Sequence, residues 1–205
     1  MKKLIIELLG TFFLVFTIFN VIASPTLGGF GALAIGVALM IMVYVGGHIS
    51  GAHYNPAVSM GLLVSGNFES SNYVKYVLYQ LIGAILAFVI AMLIRPDTSF
   101  SALHVSLGSA LIAEAIWTFL LAFVVLNVAV APANKGNSFY GFAIGATVLV
   151  GALTLGSISG GAFNPAVTVA LAIAGILSWP TAGAYIVVQL IAGSGAGLLY
   201  KTLNK

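Results

Sequence analysis

The sequence predicts an all-α membrane protein with six transmembrane helices plus two re-entrant half-helices, arranged as an inverted repeat. Three observations lead there. Of the 205 residues, 5% are charged and 61% are hydrophobic, with a mean hydropathy of +1.16; a soluble domain keeps about a quarter of its residues charged to wet its surface. Six apolar stretches are long enough to cross a bilayer. One further motif occurs twice, each time before an apolar run too short to cross: His48-Ile-Ser-Gly-Ala-His-Tyr-Asn55-Pro56-Ala57-Val58 and Ser157-Ile-Ser-Gly-Gly-Ala-Phe-Asn164-Pro165-Ala166-Val167.

The first span covers about residues 4–23 and follows Lys2-Lys3. It is longer than the apolar core of a secretory signal, contains Glu7 and precedes further spans, so it reads as a membrane helix rather than a cleaved leader. Pro25, Gly28 and Gly29 separate it from the second span, about 30–47. The first motif comes next. Its Ile-Ser-Gly suggests a flexible, extended approach, Asn55 is a favoured helix N-cap, and Pro56 suits the first helical position because its φ is fixed and its missing N–H is not needed there. The apolar run over 57–64 is a helix rising about 15 Å or less, half of the hydrocarbon core. Spans three and four follow at about 73–94 and 106–130, parted by Arg95-Pro96-Asp97. After Pro132-Ala-Asn-Lys-Gly136 the fifth span runs over about 139–155. The second motif then starts another short helix at Asn164, with its apolar run over 166–177, and the sixth span covers about 179–200. No joint is long enough to form a domain of its own, so residues 1–205 read as a single membrane domain with repeats at about 1–103 and 104–205.

Orientation follows from the basic residues. With the N-terminus inside, Lys2, Lys3, Lys75, Lys135, Lys201 and Lys205 are all cytoplasmic and only Arg95 is outside. Both termini are then cytoplasmic, in a plasma or cell inner membrane. The Asn55 segment enters from the cytoplasm and the Asn164 segment from outside. At a constant offset of 109, Ala34-Ile35-Gly36 matches Ala143-Ile144-Gly145, Asn55 matches Asn164, and Gln80-Leu81-Ile82 matches Gln189-Leu190-Ile191; Glu7-x-x-x-Thr11-Phe12 recurs as Glu114-x-x-x-Thr118-Phe119 with the offset shifted by two. Three spans per half is an odd number, so the second copy must sit upside down.

Two half-helices entering from opposite faces meet at the midplane with their positive ends and both Asn side chains aimed at one spot. Each Asn oxygen can cap its own helix while the NH₂ donates into the channel. Unpaired carbonyls on the Gly-containing approaches are tolerable at that depth only where they line water. A central water must offer its oxygen to both Asn residues, which interrupts proton hopping. Two half-charges about 5 Å away, at an effective dielectric near ~20, oppose a cation by roughly 3 kcal/mol. Glu7 and Glu114 are the acids inside spans. A proton relay is one reading of them; the better one is that each accepts hydrogen bonds from backbone N–H groups of the re-entrant loop on its own side. Small residues, among them Gly83, Ala87, Ala192, Gly193 and Gly197, mark close helix contacts.

Several function classes are excluded. The isolated basic residues form no nucleic-acid footprint, and the absence of cysteine removes thiol chemistry. His48 and His53, without Cys or carboxylates nearby in sequence, are poor metal ligands, and His104 falls in an outer loop with no assigned role. No metal or other cofactor is expected, and no nucleophile–base pair or phosphate loop supports an enzyme.

The twin Asn-Pro-Ala motifs, each preceded by Ile-Ser-Gly in a six-span inverted repeat, resemble the aquaporin family, the major intrinsic proteins, over the whole chain. The resemblance implies a pore in every protomer, a homotetramer in the lipid bilayer, and passive single-file passage of water and small neutral solutes. Asn55, Pro56, Ala57, Asn164, Pro165 and Ala166 match the family's pore motifs. Counting from the two Asn residues, the selectivity-filter positions fall on Ile35, Ala152, Gly161 and Val167. Water-specific members carry an aromatic residue, His and Arg there, and glycerol facilitators usually keep Arg followed by Asp; this chain has Val167-Thr168. It looks closer to members, such as the plant vacuolar type, that carry Val in place of Arg and pass water together with small neutral solutes such as urea, ammonia or hydrogen peroxide. Two readings stand beside the channel: a secondary transporter, which also uses inverted repeats, and a non-conducting membrane scaffold.

Overall fold

A computed structural model describes residues 1–204 and shows eight α-helices among them. The cytoplasmic placement expected for Lys205 lies outside the described residues. Helices α1 (Lys2–Ile22), α2 (Gly29–Ser50), α4 (Ser70–Ile94), α5 (Leu107–Val125), α6 (Tyr140–Ser159) and α8 (Trp179–Leu203) supply the six segments long and apolar enough to cross a membrane. Helices α3 (Pro56–Val64) and α7 (Pro165–Ile173) have nine residues each. An even number of crossings brings both ends of the chain to one face, the terminal face; the other is the distal face.

The boundaries depart from the sequence expectation in three places, each for a local reason. Ile49-Ser50 and Ile158-Ser159 are not extended: they form the last turns of α2 and α6, which stop at Gly51 (φ 91°) and Gly160 (φ 84°). A glycine in the left-handed region is a common helix terminator, and the chain turns inward only after it. The second half-helix ends at Ile173 rather than near 177, because Gly175 takes φ 74° and the N–H of Ile176 bonds back to Leu171. Helix α3 ends the same way, with Gly66 at φ 83° and the N–H of Asn67 on Leu62. The fourth span reaches Val130 as expected, but over Leu126–Val130 it widens into a π turn whose Ala131 N–H bonds to Leu126.

Packing inverts the pattern of a soluble protein. Phe30, Leu93, Ile112, Phe142 and Ile191 face outward, while Glu7, Asn55, Gln80, Glu114, Asn164 and Gln189 are buried. Helix contact relies on glycine, since the hydrophobic effect does not drive pairing inside lipid. Helices α2 and α6 cross at Gly36 and Gly145, where a Cβ on either residue would run into the other's carbonyl oxygen. Gly83 lets α4 rest on the Leu8 carbonyl of α1, and Gly193 and Gly197 let α8 rest on the Ala57 and Gly61 carbonyls of α3. Each half-helix therefore lies against the opposite repeat: α3 on α8, and α7 on α4.

Candidate functional site

The two short helices start nose to nose. Asn55 and Asn164 are extended N-caps, with φ −155° and −158°. The Asn55 Oδ1 accepts from the N–H of Ala57 at 2.8 Å, and the Asn164 Oδ1 accepts from Ala166 at 2.9 Å. The NH₂ groups do something the sequence did not suggest. Asn55 Nδ2 donates to the carbonyl of Phe163 and Asn164 Nδ2 to the carbonyl of Tyr54, both at 2.9 Å. The motifs are thus cross-braced, each Asn holding the residue just before the other. One of the two N–H bonds of each amide is spent on this brace, so the expectation that the whole NH₂ faces the channel is corrected to one N–H per Asn.

The residues so held are in an unusual conformation. Tyr54 (φ 49°) and Phe163 (φ 48°) lie in the left-handed region, a strain of about 1–3 kcal/mol for a non-glycine residue unless its surroundings fix it. Glu7 and Glu114 supply much of the fixing. Glu7 Oε1 accepts from the Ser50 hydroxyl at 2.7 Å and the His53 N–H at 3.0 Å, while Oε2 accepts from the Tyr54 N–H and Gln80 Nε2, both at 2.8 Å. Glu114 repeats the pattern with Ser159 (2.7 Å), the Ala162 N–H (3.0 Å), the Phe163 N–H (2.7 Å) and Gln189 (2.8 Å). Tyr76 and Tyr185 complete the pair, their hydroxyls donating to the Ser50 and Ser159 carbonyls at 2.8 and 2.9 Å. Four donors saturate each carboxylate, so neither has a free lone pair aimed at a passing solute.

A narrow cavity of about 100 Å³ runs past this junction. Asn55 and Asn164 line it, as do the four residues expected at a selectivity filter, Ile35, Ala152, Gly161 and Val167. Pro56, Ala57, Pro165 and Ala166 do not; they are buried in the first turns of α3 and α7. The rest of the wall is largely aliphatic, from Leu14, Leu39, Val58, Leu121, Ile144 and Val148, and no Asp, Glu, Lys or Arg is part of it. Its remaining polar surface comes from the loop segments at Ala52–Tyr54 and Gly160–Phe163. Among the described residues, no backbone hydrogen bond runs to the carbonyls of Ala52, His53, Gly161 or Ala162. An apolar tube with two amide donors and a few free carbonyls slides a neutral, hydrogen-bonding molecule along without holding it.

Next to the cavity, on the terminal face, lies a vestibule of about 880 Å³ lined by Lys3, His48, Asn67, Phe68, Lys135 and Asn137, among others. His53 borders both spaces. Its Nδ1 lies 2.9 Å from the Ser59 hydroxyl and its ring packs against Phe68 and Tyr76 at 4.7 and 5.0 Å. His104 is exposed and borders neither.

Sequence reasoning missed Tyr54, Phe163, Gln80, Gln189, Ser50 and Ser159 as parts of the site. A signal was available for the glutamines: a polar amide at the same repeat position inside two apolar spans.

Comparison with known proteins gives a consistent set of matches. The family described as "Major intrinsic protein" matches over residues 1–156 and 101–205, which together take in the whole chain. A maize protein named "Aquaporin NIP1-1" is 36% identical over 220 residues, covering 100% of this chain and 76% of that one. "Glycerol uptake facilitator protein-like 6" of Lactiplantibacillus plantarum is 36% identical, with 84% of each chain covered. "Probable aquaporin NIP4-2" of Arabidopsis thaliana is 37% identical over 80% of this chain, a match that spans 62% of the Arabidopsis protein's length. Among solved structures, the aquaglyceroporin of Plasmodium falciparum superposes with a TM-score of 0.81 at 24% identity, covering 98% of this chain and 94% of that one.

Proposed function

The chain belongs to the major intrinsic protein family, and on that premise we propose that it is a passive transmembrane channel for water together with small uncharged solutes of the size of urea, ammonia, hydrogen peroxide or glycerol. The observation that carries the proposal is the cavity itself. It passes between two helix N-termini and two amide donors, and its wall holds no charged carboxylate, ammonium or guanidinium group. A cation meets two positive helix ends there and finds no counter-charge to replace its water. An anion gains from the helix ends but must shed its hydration against aliphatic side chains. A neutral solute pays neither cost.

The breadth of the solute range rests on Val167. With Ile35, Ala152 and Gly161 it lines a stretch of the cavity that carries no charge, and nothing at these positions offers the fixed side-chain donors by which a guanidinium would select water. In this reading the terminal face is cytoplasmic, because it carries Lys2, Lys3, Lys75, Lys135 and Lys201. The membrane is the plasma or cell inner membrane, and four copies assemble, each with its own pore. Stopped-flow light scattering on proteoliposomes, run with water and then with urea, glycerol and peroxide gradients, tests the proposal. Water flux accompanied by flux of at least one larger solute is expected; a channel that conducts water and excludes all three would show the filter reading to be wrong.

A further inference from the structure

The two halves hold their strained residues by different means, and the difference falls at the cavity wall. In the first half Tyr54 is tied by its own hydroxyl. Its ring lies over Gly10 and Gly46, where any Cβ would collide with it, and the hydroxyl donates to the Met42 carbonyl of α2 at 2.9 Å. In the second half the matching residue is Phe163, which has no hydroxyl. At the offset that relates Glu7 to Glu114, the position of Gly10 is taken by Trp117. Its indole sits 6.2 Å from the Phe163 ring, and its N–H donates to the Thr147 carbonyl at 2.8 Å. Both tethers end on the equivalent pair of helices, α2 in one half and α6 in the other, but Trp117 is a separate residue holding Phe163 from the side.

The surroundings leave the Phe163 ring little freedom while Trp117 is in place. On one side a Cβ at Gly151 would lie 2.7 Å from its Cε2 and would also strike the indole. On another side Gly161 faces it across room for about one methyl group: a Cβ there would lie 3.5 Å from the same Cε2 and 3.6 Å from the Cα of Ala152. Gly161 and Ala152 both line the cavity beside Val167. The indole therefore bears on Phe163, which lines the cavity together with Gly161, Ala152 and Val167.

We propose that Trp117 is a positioning residue for solute selection: by holding the Phe163 ring beside Gly151 it sets where Phe163 stands on the cavity wall next to Gly161 and Ala152. The indole touches no solute. It acts through Phe163, whose carbonyl also receives the Asn55 brace. The inference rests on the cavity being the conducting pore.

The test compares Trp117→Ala, Trp117→Phe and Gly151→Ala with wild type in proteoliposomes at matched protein content, reading water, urea and glycerol permeability. Removing the indole gives the Phe163 ring room to retreat toward α5, so Trp117→Ala is expected to raise the urea-to-water and glycerol-to-water ratios at least twofold. Trp117→Phe, which keeps an aromatic ring but loses the N–H tether, is expected to fall between. Gly151→Ala sets a methyl against the indole even more closely than against the Phe163 ring, so it displaces the clamp and is expected to raise both ratios, as Trp117→Ala does. A merely structural role predicts that all permeabilities fall in proportion, and unchanged ratios in a conducting set overturn the inference while leaving the pore reading intact. A wild type that conducts nothing overturns the pore reading, and the inference with it. Should Trp117→Ala not fold, Trp117→Phe and Gly151→Ala decide the matter: raised ratios in both support the proposal and unchanged ratios overturn it; if these two also fail to fold, the cluster is a folding element and the proposal is wrong.

Discussion

At the scale of single residues, the site is built from acceptors matched to donors in a medium that offers no substitute. Glu7 takes four hydrogen bonds, and Gln in its place keeps one acceptor oxygen while turning an NH₂ toward two donors. Each buried donor left without an acceptor costs about 1–3 kcal/mol. Glu7→Gln and Glu114→Gln are therefore expected to yield folded protein with a lowered melting temperature in detergent, and the Ala variants, which strand all four donors, little folded protein at all. Equal behaviour of Gln and Ala in size-exclusion and thermal denaturation assays would show that the hydrogen bonds are not what holds the loops. The other decisive residue is Val167, buried and on the cavity wall. Arg there introduces a permanent charge and five donors, so Val167→Arg is expected to lower urea and glycerol flux severalfold more than water flux. A proportional loss of all three would place Val167 away from the selecting step.

At the scale of elements, short helices stand or fall by how closely glycine lets their neighbours approach. A methyl group at Gly193 would overlap the Ala57 carbonyl, whereas at Gly183, on the same helix, it meets nothing within 4 Å. Gly193→Ala is expected to destabilise by about 1–3 kcal/mol through overpacking, and Gly183→Ala to be neutral or to stabilise by up to about 1 kcal/mol through helix propensity. Paired melting curves in one detergent read the contrast, and similar shifts would contradict the packing account. Much at this scale was legible in the sequence: the six spans, the half-helices capped by Asn55 and Asn164, and the offset linking the two repeats follow from apolar length, capping chemistry and the position of proline. What was not legible is long-range or conformational. Ile49-Ser50 reads as a loop beside glycine, yet it is helical because only the left-handed turn at Gly51 ends α2. The cross-brace joins residues 108 and 110 positions apart, and no local pattern announces which carbonyl a given amide will find. Trp117 reads as one more large apolar residue on a helix until its partner Thr147 on α6 is seen.

At the scale of the whole molecule, the inverted repeat makes two faces that differ in outline but share one centre. A wide vestibule lies on the terminal face, and the slender cavity beside it is lined by residues of both repeats. Because the chain has no cysteine, mercurial reagents are expected to leave flux unchanged at concentrations that modify thiols; thiol-reversible inhibition would contradict that. The centre separates a channel from a coupled transporter. Two helix N-termini and two amide donors oppose cations and turn a central water's oxygen toward both amides, which breaks a proton-conducting file. The most direct test is solute uptake into proteoliposomes loaded with a pH-sensitive dye, with water and urea influx followed in the same preparation. The account predicts water and urea entry down their gradients with no change in lumenal pH. Uptake that acidifies the lumen, or that requires an ion gradient, would contradict it.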